Sequence, residues 1–425
     1  MPRHLRAALL FFAAVAGAAI GQTPSPTPTP TPGEATATPT PAPVAEPTPE
    51  PTPVPDVAPA SETAPPREPE KSGIFPSINV YLPEGRADIR LVKPIRNSLF
   101  ENQITYNFVS GDISAFLRYK YYGRSYTSTF SFFDSIEFEE LEQFSNDFSR
   151  TRGALYLHRR PLNFYNRLYT LLEFDRLTFS RPVDHPDANR TNVYIKVGYQ
   201  YGTPSDERSN AVVGEARDRF FNLFTAYREV GPGGRGLSIA ATYGFDFLGG
   251  DYRYVKTEME ALQAIALPRQ NRLVLRLHAG YFPHKKTLLE EFDPVLGTPF
   301  SIPRYELFRL NGRHELKGYR GTERGPNQLH LTSEYVRPIY TDAPRRFLGL
   351  DWTSLYAIGY VGAGNLGNET SIYTRLSDYK VDVGAGFEAA LSWRHYRAFL
   401  GALVAKTVVN GVGGARFLVT VKTYR

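Results

Sequence analysis

The chain has 425 residues, a formal net charge of +6, 13% aromatic residues and no cysteine. Without cysteine it can form neither a disulfide nor a thiolate metal site, and its histidines are scattered without metal-ligand spacing. The modest positive charge does not indicate nucleic acid, because the basic residues fall on strand ends and alternate strand positions that meet water or lipid phosphate.

Residues 1–21 open with Arg3 and Arg6, continue through an apolar run from Ala7 to Ile20, and end small-x-small at Ala19-Ile20-Gly21. That pattern predicts a secretory signal peptide, too short and wrongly flanked for a retained membrane helix. Residues 22–72 are almost wholly Pro, Thr, Ala and Glu. Such a tract cannot bury enough apolar surface to offset its ordering entropy, so a disordered, polyproline-like periplasmic linker is expected.

Residues 73–425 differ in texture: they carry nearly all of the 27 Tyr and 28 Phe and contain no long apolar run of transmembrane-helix length. Alternation with a period of two recurs instead. Ile113, Ala115, Leu117, Tyr119 and Tyr121 oppose Arg118 and Lys120; Val193, Ile195, Val197, Tyr199 and Tyr201 oppose Lys196 and Gln200. Leu237 through Tyr243 to Phe247 oppose Ser238, Thr242 and Asp246; Leu273 to Tyr281 oppose Arg272, Arg276 and His278. Segments of about ten residues that end in aromatics predict strands with lipid outside and water inside, and closure is required because no sheet edge can stay unpaired in hydrocarbon. A soluble β-sandwich produces similar alternation and stays open as an alternative.

Between these strands, the acidic run Asp134–Asp147 reads as an exposed loop or short helix without calcium-loop spacing. Pro182–Arg190, Pro204–Arg217 and Val230–Arg235 read as polar, turn-rich connections. No hydrolase elbow, zincin or Walker motif occurs. Gly362–Gly367 and Gly231–Gly236 match Gly-x-Gly-x-x-Gly, but neither opens a helix in a βαβ unit, so both read as strand-end turns. His330 and Ser333 are three apart on one strand and face opposite ways, so they make no dyad. An enzyme is not expected, and no cofactor or metal is called for.

The most informative stretch is Leu310–Ile339, LNGRHELKGYRGTERGPNQLHLTSEYVRPI. It has Gly-bearing turns at Asn311-Gly312 and Gly325-Pro326, a basic tip at Leu316-Lys317-Gly318-Tyr319, and a strand-like run from Gln328. A long ordered excursion in a β protein is more often functional than slack. Five strands are expected from here, starting near Gln328, Asp351, Lys380, Arg397 and Ala415, after ten or eleven upstream. The last, Gly414–Arg425, alternates Phe417, Val419 and Val421 against Arg416, Thr420 and Lys422.

The tip, with Glu334, Tyr335, Arg337 and Pro338 on the strand after it, resembles the bacterial surface-antigen superfamily of outer-membrane barrels. That superfamily includes the central barrel-assembly factor and the two-partner-secretion translocators, and the resemblance covers roughly the last 120 residues. It implies an all-β, transmembrane antiparallel barrel of about 16 strands with this long loop folded back into the lumen. It also implies that the tip cation pairs with an acid on the barrel wall. Here the tip has Lys317 for the family's Arg, and Gly362 stands where the family's acid belongs, in Tyr360-Val361-Gly362-Ala363-Gly364. Asp382 is therefore the candidate lock partner, with Arg320 a second candidate donor; a solvated Lys317 is the alternative.

The family's periplasmic POTRA domains have no counterpart in the Pro-Thr tract. The resemblance implies insertion or translocation of proteins or lipids at the outer membrane, with outer-membrane lipid, client polypeptides and a separate periplasmic partner as expected contacts. A passive channel or structural surface antigen without translocase activity is the alternative, and a soluble secreted β protein a third.

Overall fold

The computed structural model describes residues 73–425 apart from 82–84, 109–110, 112, 139–147, 164, 180–188, 203–233, 284–301, 304–305, 311–315, 322, 342–344, 348–349, 394–395, 412–413 and 425. The expected signal peptide and linker lie outside the described residues. Eleven strands precede the long loop: β1 Gly73–Tyr81, β2 Gly85–Ile95, β3 Ser98–Asn107, β4 Ile113–Tyr122, β5 Thr127–Phe138, β6 Phe148–Pro161, β7 Asn166–Phe179, β8 Thr191–Gly202, β9 Arg235–Gly244, β10 Tyr254–Ala266 and β11 Arg272–Tyr281. Within the loop, β12 (Phe308–Arg309) and β13 (Arg324–Gly325) make a short clasp. Then come β14 Asn327–Tyr340, β15 Arg345–Phe347, β16 Leu350–Gly367, β17 Lys380–Trp393, β18 Tyr396–Val409 and β19 Arg416–Tyr424.

Each long strand pairs antiparallel with its chain neighbours, β11 with β14 and β14 with β16, and β19 returns to β1. Without the short pieces β12, β13 and β15, sixteen strands close the ring. Up-and-down order puts the tight turns at 96–97 and 123–126 at the end where β1 begins, and the long loop at the other end.

The two faces of the strands settle what the alternation means. Glu101 with Arg118, Lys196 with Glu258, and Arg276 with Glu260 are inward ion pairs, at 3.3, 2.7 and 2.5 Å. The opposite face exposes Phe132 (60%), Val197 (50%), Ile239 (48%) and Phe417 (62%). Charge inside and bare apolar surface outside inverts a soluble protein and suits a barrel in lipid. The interior is packed around two apolar clusters, one on Leu157, Tyr169 and Leu171, the other on Val336, Ile358, Tyr360 and Leu403.

Three local expectations are corrected. The strand expected to run to Phe247 ends at Gly244, where the Tyr254 ring occupies the space a side chain would need. The chain then turns through Leu248 and Gly249, both at positive φ, and Phe245 is buried. The acidic run is not all loop: Asp134–Phe138 belongs to β5, where Asp134 meets Arg150 and Arg152, while 139–147 lie outside the described residues. Gly362–Gly367 is not a strand-end turn but the interior and end of β16. Most of the other three polar connections also lies outside the described residues, although Arg235 opens β9.

Candidate functional site

The long loop enters the barrel from a rooted base. Glu306 accepts from Lys256 of β10 at 3.0 Å, and the ammonium of Lys256 lies 4.8 Å from the Phe308 ring. Phe308 packs with Tyr254, Phe282, Ile302 and Leu307. The β12–β13 clasp follows, and the Gln328 amide donates to the Arg309 carbonyl at 2.8 Å. Leu316 N–H then donates to Leu310 O at 3.0 Å, closing the excursion just before the tip.

At the tip, Leu316, Lys317 and Tyr319 are each at most 3% exposed. The Lys317 ammonium donates to Glu334 Oε1 of β14 at 2.7 Å and sits 4.6 Å from the Tyr360 ring. Lys317 N–H donates to the Tyr360 hydroxyl at 3.3 Å, and that hydroxyl lies beside the Asp382 carboxylate, both bordering Gly362. Gly318 N–H donates to Asp382 Oδ2 at 2.7 Å. The tip is thus held by the Lys317–Glu334 ion pair to β14 and by hydrogen bonds to β16 and β17. A charge this deep is tolerated only when paired and hydrogen-bonded.

Two glycines make room. A Cβ on Gly318 would stand 2.7 Å from the Lys406 backbone nitrogen of β18, so only glycine lets the tip approach that strand. Gly362 faces Asp382 in register, and a Cβ there would collide with the Asp382 carboxylate and the Tyr360 hydroxyl. An acid thus stands directly across the ladder from Gly362.

The structure gives the expected partners different roles. Lys317 pairs with Glu334 rather than Asp382, because the tip's depth puts its ammonium beside β14 and its next N–H beside β17. Arg320 reaches the Ala415 carbonyl at 2.8 Å. Tyr319 bonds through its hydroxyl to Glu323 and lies under the Lys380 ammonium. The post-loop motif is divided between faces: Glu334 is in the lock, Tyr335 and Arg337 are exposed on the other face, and Pro338 lies at a register shift. Pro338 has no N–H to give a regular ladder, and an irregularity is where proline fits. Tyr360 was not foreseen, although it lies two residues before Gly362 and so on the same face.

His330 faces His278 across the β11–β14 ladder, with ring centroids 5.0 Å apart. Among the described residues no group of three or more His, Cys, Asp or Glu could hold a metal ion.

No family model matches the sequence, and no curated protein matches it. Solved structures do share its fold. One is BamA from Haemophilus ducreyi lacking POTRA domains 1–3, with a TM-score of 0.54 at 15% identity over 83% of this chain and 70% of that one. CdiB from Acinetobacter baumannii has a TM-score of 0.52 at 12% identity over 83% of this chain. CdiB from Escherichia coli has 0.51 at 12% over 84%. The chain spans 59% and 64% of the two CdiB chains, respectively. At these identities the likeness is one of fold.

Proposed function

We propose that this chain is an outer-membrane barrel that inserts or translocates polypeptides or lipids, and that its closing seam is where they pass. One observation carries the reading. β1 and β19 meet through three register pairs, Asn79–Lys422, Val80–Val421 and Tyr81–Thr420. β1 meets β2 through eight, and β16 meets β17 through thirteen. From Gly73 to Ile78 the free edge of β1 has no β19 partner, and a strand with an open edge is a template for another strand. Pro76 fits an edge, since it has no N–H to contribute to a second ladder. The sequence resemblance supports the same reading, and a separate periplasmic partner would supply the client-receiving part.

The test is to crosslink the seam. Val80→Cys/Val421→Cys, oxidised in proteoliposomes of the full chain, is expected to reduce insertion of a urea-denatured outer-membrane barrel to the level of empty vesicles. Reductant should restore it. Equal insertion by the oxidised and reduced forms would overturn the seam as the route.

A passive channel needs an open lumen, and the buried tip argues against one. Full-length protein in a planar bilayer should be closed, and deletion of residues 311–326 should open a wide, steady conductance. Equal open conductance in both forms would favour the channel.

A further inference from the structure

We propose that the outer wall of β5–β7 carries a binding site for the phosphate headgroup of a membrane lipid, at the barrel end that also bears the long loop. On three adjacent strands the lipid-facing apolar run is interrupted by charge at the same height. On β5, Phe130 and Phe132 lead to Asp134; on β7, Leu172 and Phe174 lead to Arg176; on β6, Arg152 and Arg150 follow Ala154. Phe132, Leu172 and Phe174 are 60%, 40% and 45% exposed, which puts this face on the outside of the barrel.

The ladder registers place these charges side by side. Asp134 pairs with Arg152, and Arg152 with Arg176. Arg150 grips Asp134 through two hydrogen bonds, Nε to Oδ1 at 2.6 Å and Nη2 to Oδ2 at 2.7 Å. Arg152 Nε reaches Oδ2 at 3.1 Å, and its side chain is 60% exposed. Arg176 is exposed and meets no carboxylate among the described residues. Two guanidinium groups thus share one carboxylate, and a third, Arg176, stands directly opposite Arg152 in the ladder.

Like charges opposite one another on a sheet repel, so this arrangement calls for an anion. On three other strands the lipid-facing tops at this end are apolar: Tyr106 on β3, Ile113 on β4 and Tyr243 on β9 are exposed at 42%, 58% and 37%. These strands have no counterpart to the arginines of β6 and β7. The neighbour of those arginines is an exposed apolar wall, so the complementary partner is an amphiphile. Acyl chains would lie on Phe132 and Phe174, and the phosphate would lie between the Arg152 and Arg176 forks, whose planar donors match phosphate oxygens. The Asp134 grip on Arg150 holds the β6 edge of this cradle.

The test uses the full chain in detergent micelles, with bound lipid counted by native mass spectrometry. The probes are a bisphosphorylated glucosamine-based glycolipid, the same lipid with its phosphates removed, and inorganic phosphate as competitor. Wild type should bind the phosphorylated lipid in preference to the dephosphorylated form. Arg152→Gln/Arg176→Gln should weaken that binding about thirtyfold, from the surface contribution of two arginines. Lys93→Gln, an exposed cation at the other end of the barrel, should bind as wild type does. Heat-modifiable gel mobility checks that each variant is folded.

Equal binding of the two lipid forms by wild type would overturn the proposal, as would unchanged binding in the folded double arginine variant. Displacement of the lipid by inorganic phosphate at equal concentration would also overturn it, by showing an anion site indifferent to the acyl chains.

Discussion

The wall that receives the loop tip and the seam that closes the ring are built to opposite standards. β14, β16, β17 and β18 are joined by ladders of thirteen register pairs each, and three of these strands hold the tip through Glu334, Tyr360 and Asp382. The seam between β1 and β19 has three pairs. With about one hydrogen bond per register pair, opening that seam breaks about three, against about thirteen for any one ladder of the receiving wall. A barrel that keeps its loop fixed while its seam stays weak can open sideways without losing its plug. Hydrogen exchange can break this comparison directly. Amides of residues 79–81 and 420–422 should exchange by local opening, and those of Tyr356–Gly362 only by global unfolding. Similar protection in both regions would remove the contrast.

The largest single-residue effect should fall on the ion pair at the tip. Lys317 and Glu334 side chains are each 4% exposed, so removing either one leaves the other buried without its ion-pair partner. Lys317→Ala or Glu334→Ala should cost about 3–5 kcal/mol, and the double variant should cost much less than the two singles combined. Urea unfolding of the barrel in detergent reads all three. Additive losses would mean that the pair is not coupled. Gly318→Ala should come next, at about 1–3 kcal/mol, because its Cβ would meet the β18 backbone, which cannot rotate away as a side chain can. A neutral result would place the tip shallower than described.

Much of this was legible from alternation alone. A period of two assigns each residue to a face, and five later strands were expected near Gln328, Asp351, Lys380, Arg397 and Ala415. They begin at Asn327, Leu350, Lys380, Tyr396 and Arg416. Alternation failed at Phe245 and Phe247, because the pattern continues where the chain has already turned. It also failed at the lock. Glu334 and Asp382 both face inward, and parity cannot say which one lies at the depth of the Lys317 ammonium. That depth depends on how far the loop descends, which rests on its root at Glu306 and Phe308 and on two glycines that let backbones approach. The weak seam was equally invisible, since it depends on register between strands more than 300 residues apart.

The smallest expected effect tests why Gly362 and Asp382 face each other. They are register partners on the same face, so exchanging them moves the carboxylate by one strand without changing its height. Asp382→Gly alone should cost about 1–3 kcal/mol, because the Gly318 N–H loses its acceptor in a buried site. Gly362→Asp alone should cost a similar amount, since the new side chain enters the space Asp382 fills and brings a second carboxylate beside the first. Made together, the two should recover part of the loss, since the carboxylate is restored while the Cβ at 362 still meets the Tyr360 hydroxyl. A double variant as unstable as the sum of the singles would mean that the wall accepts its acid only from β17. The lock would then depend on the tilt of Asp382 toward Gly318, and not merely on the presence of a carboxylate at that depth.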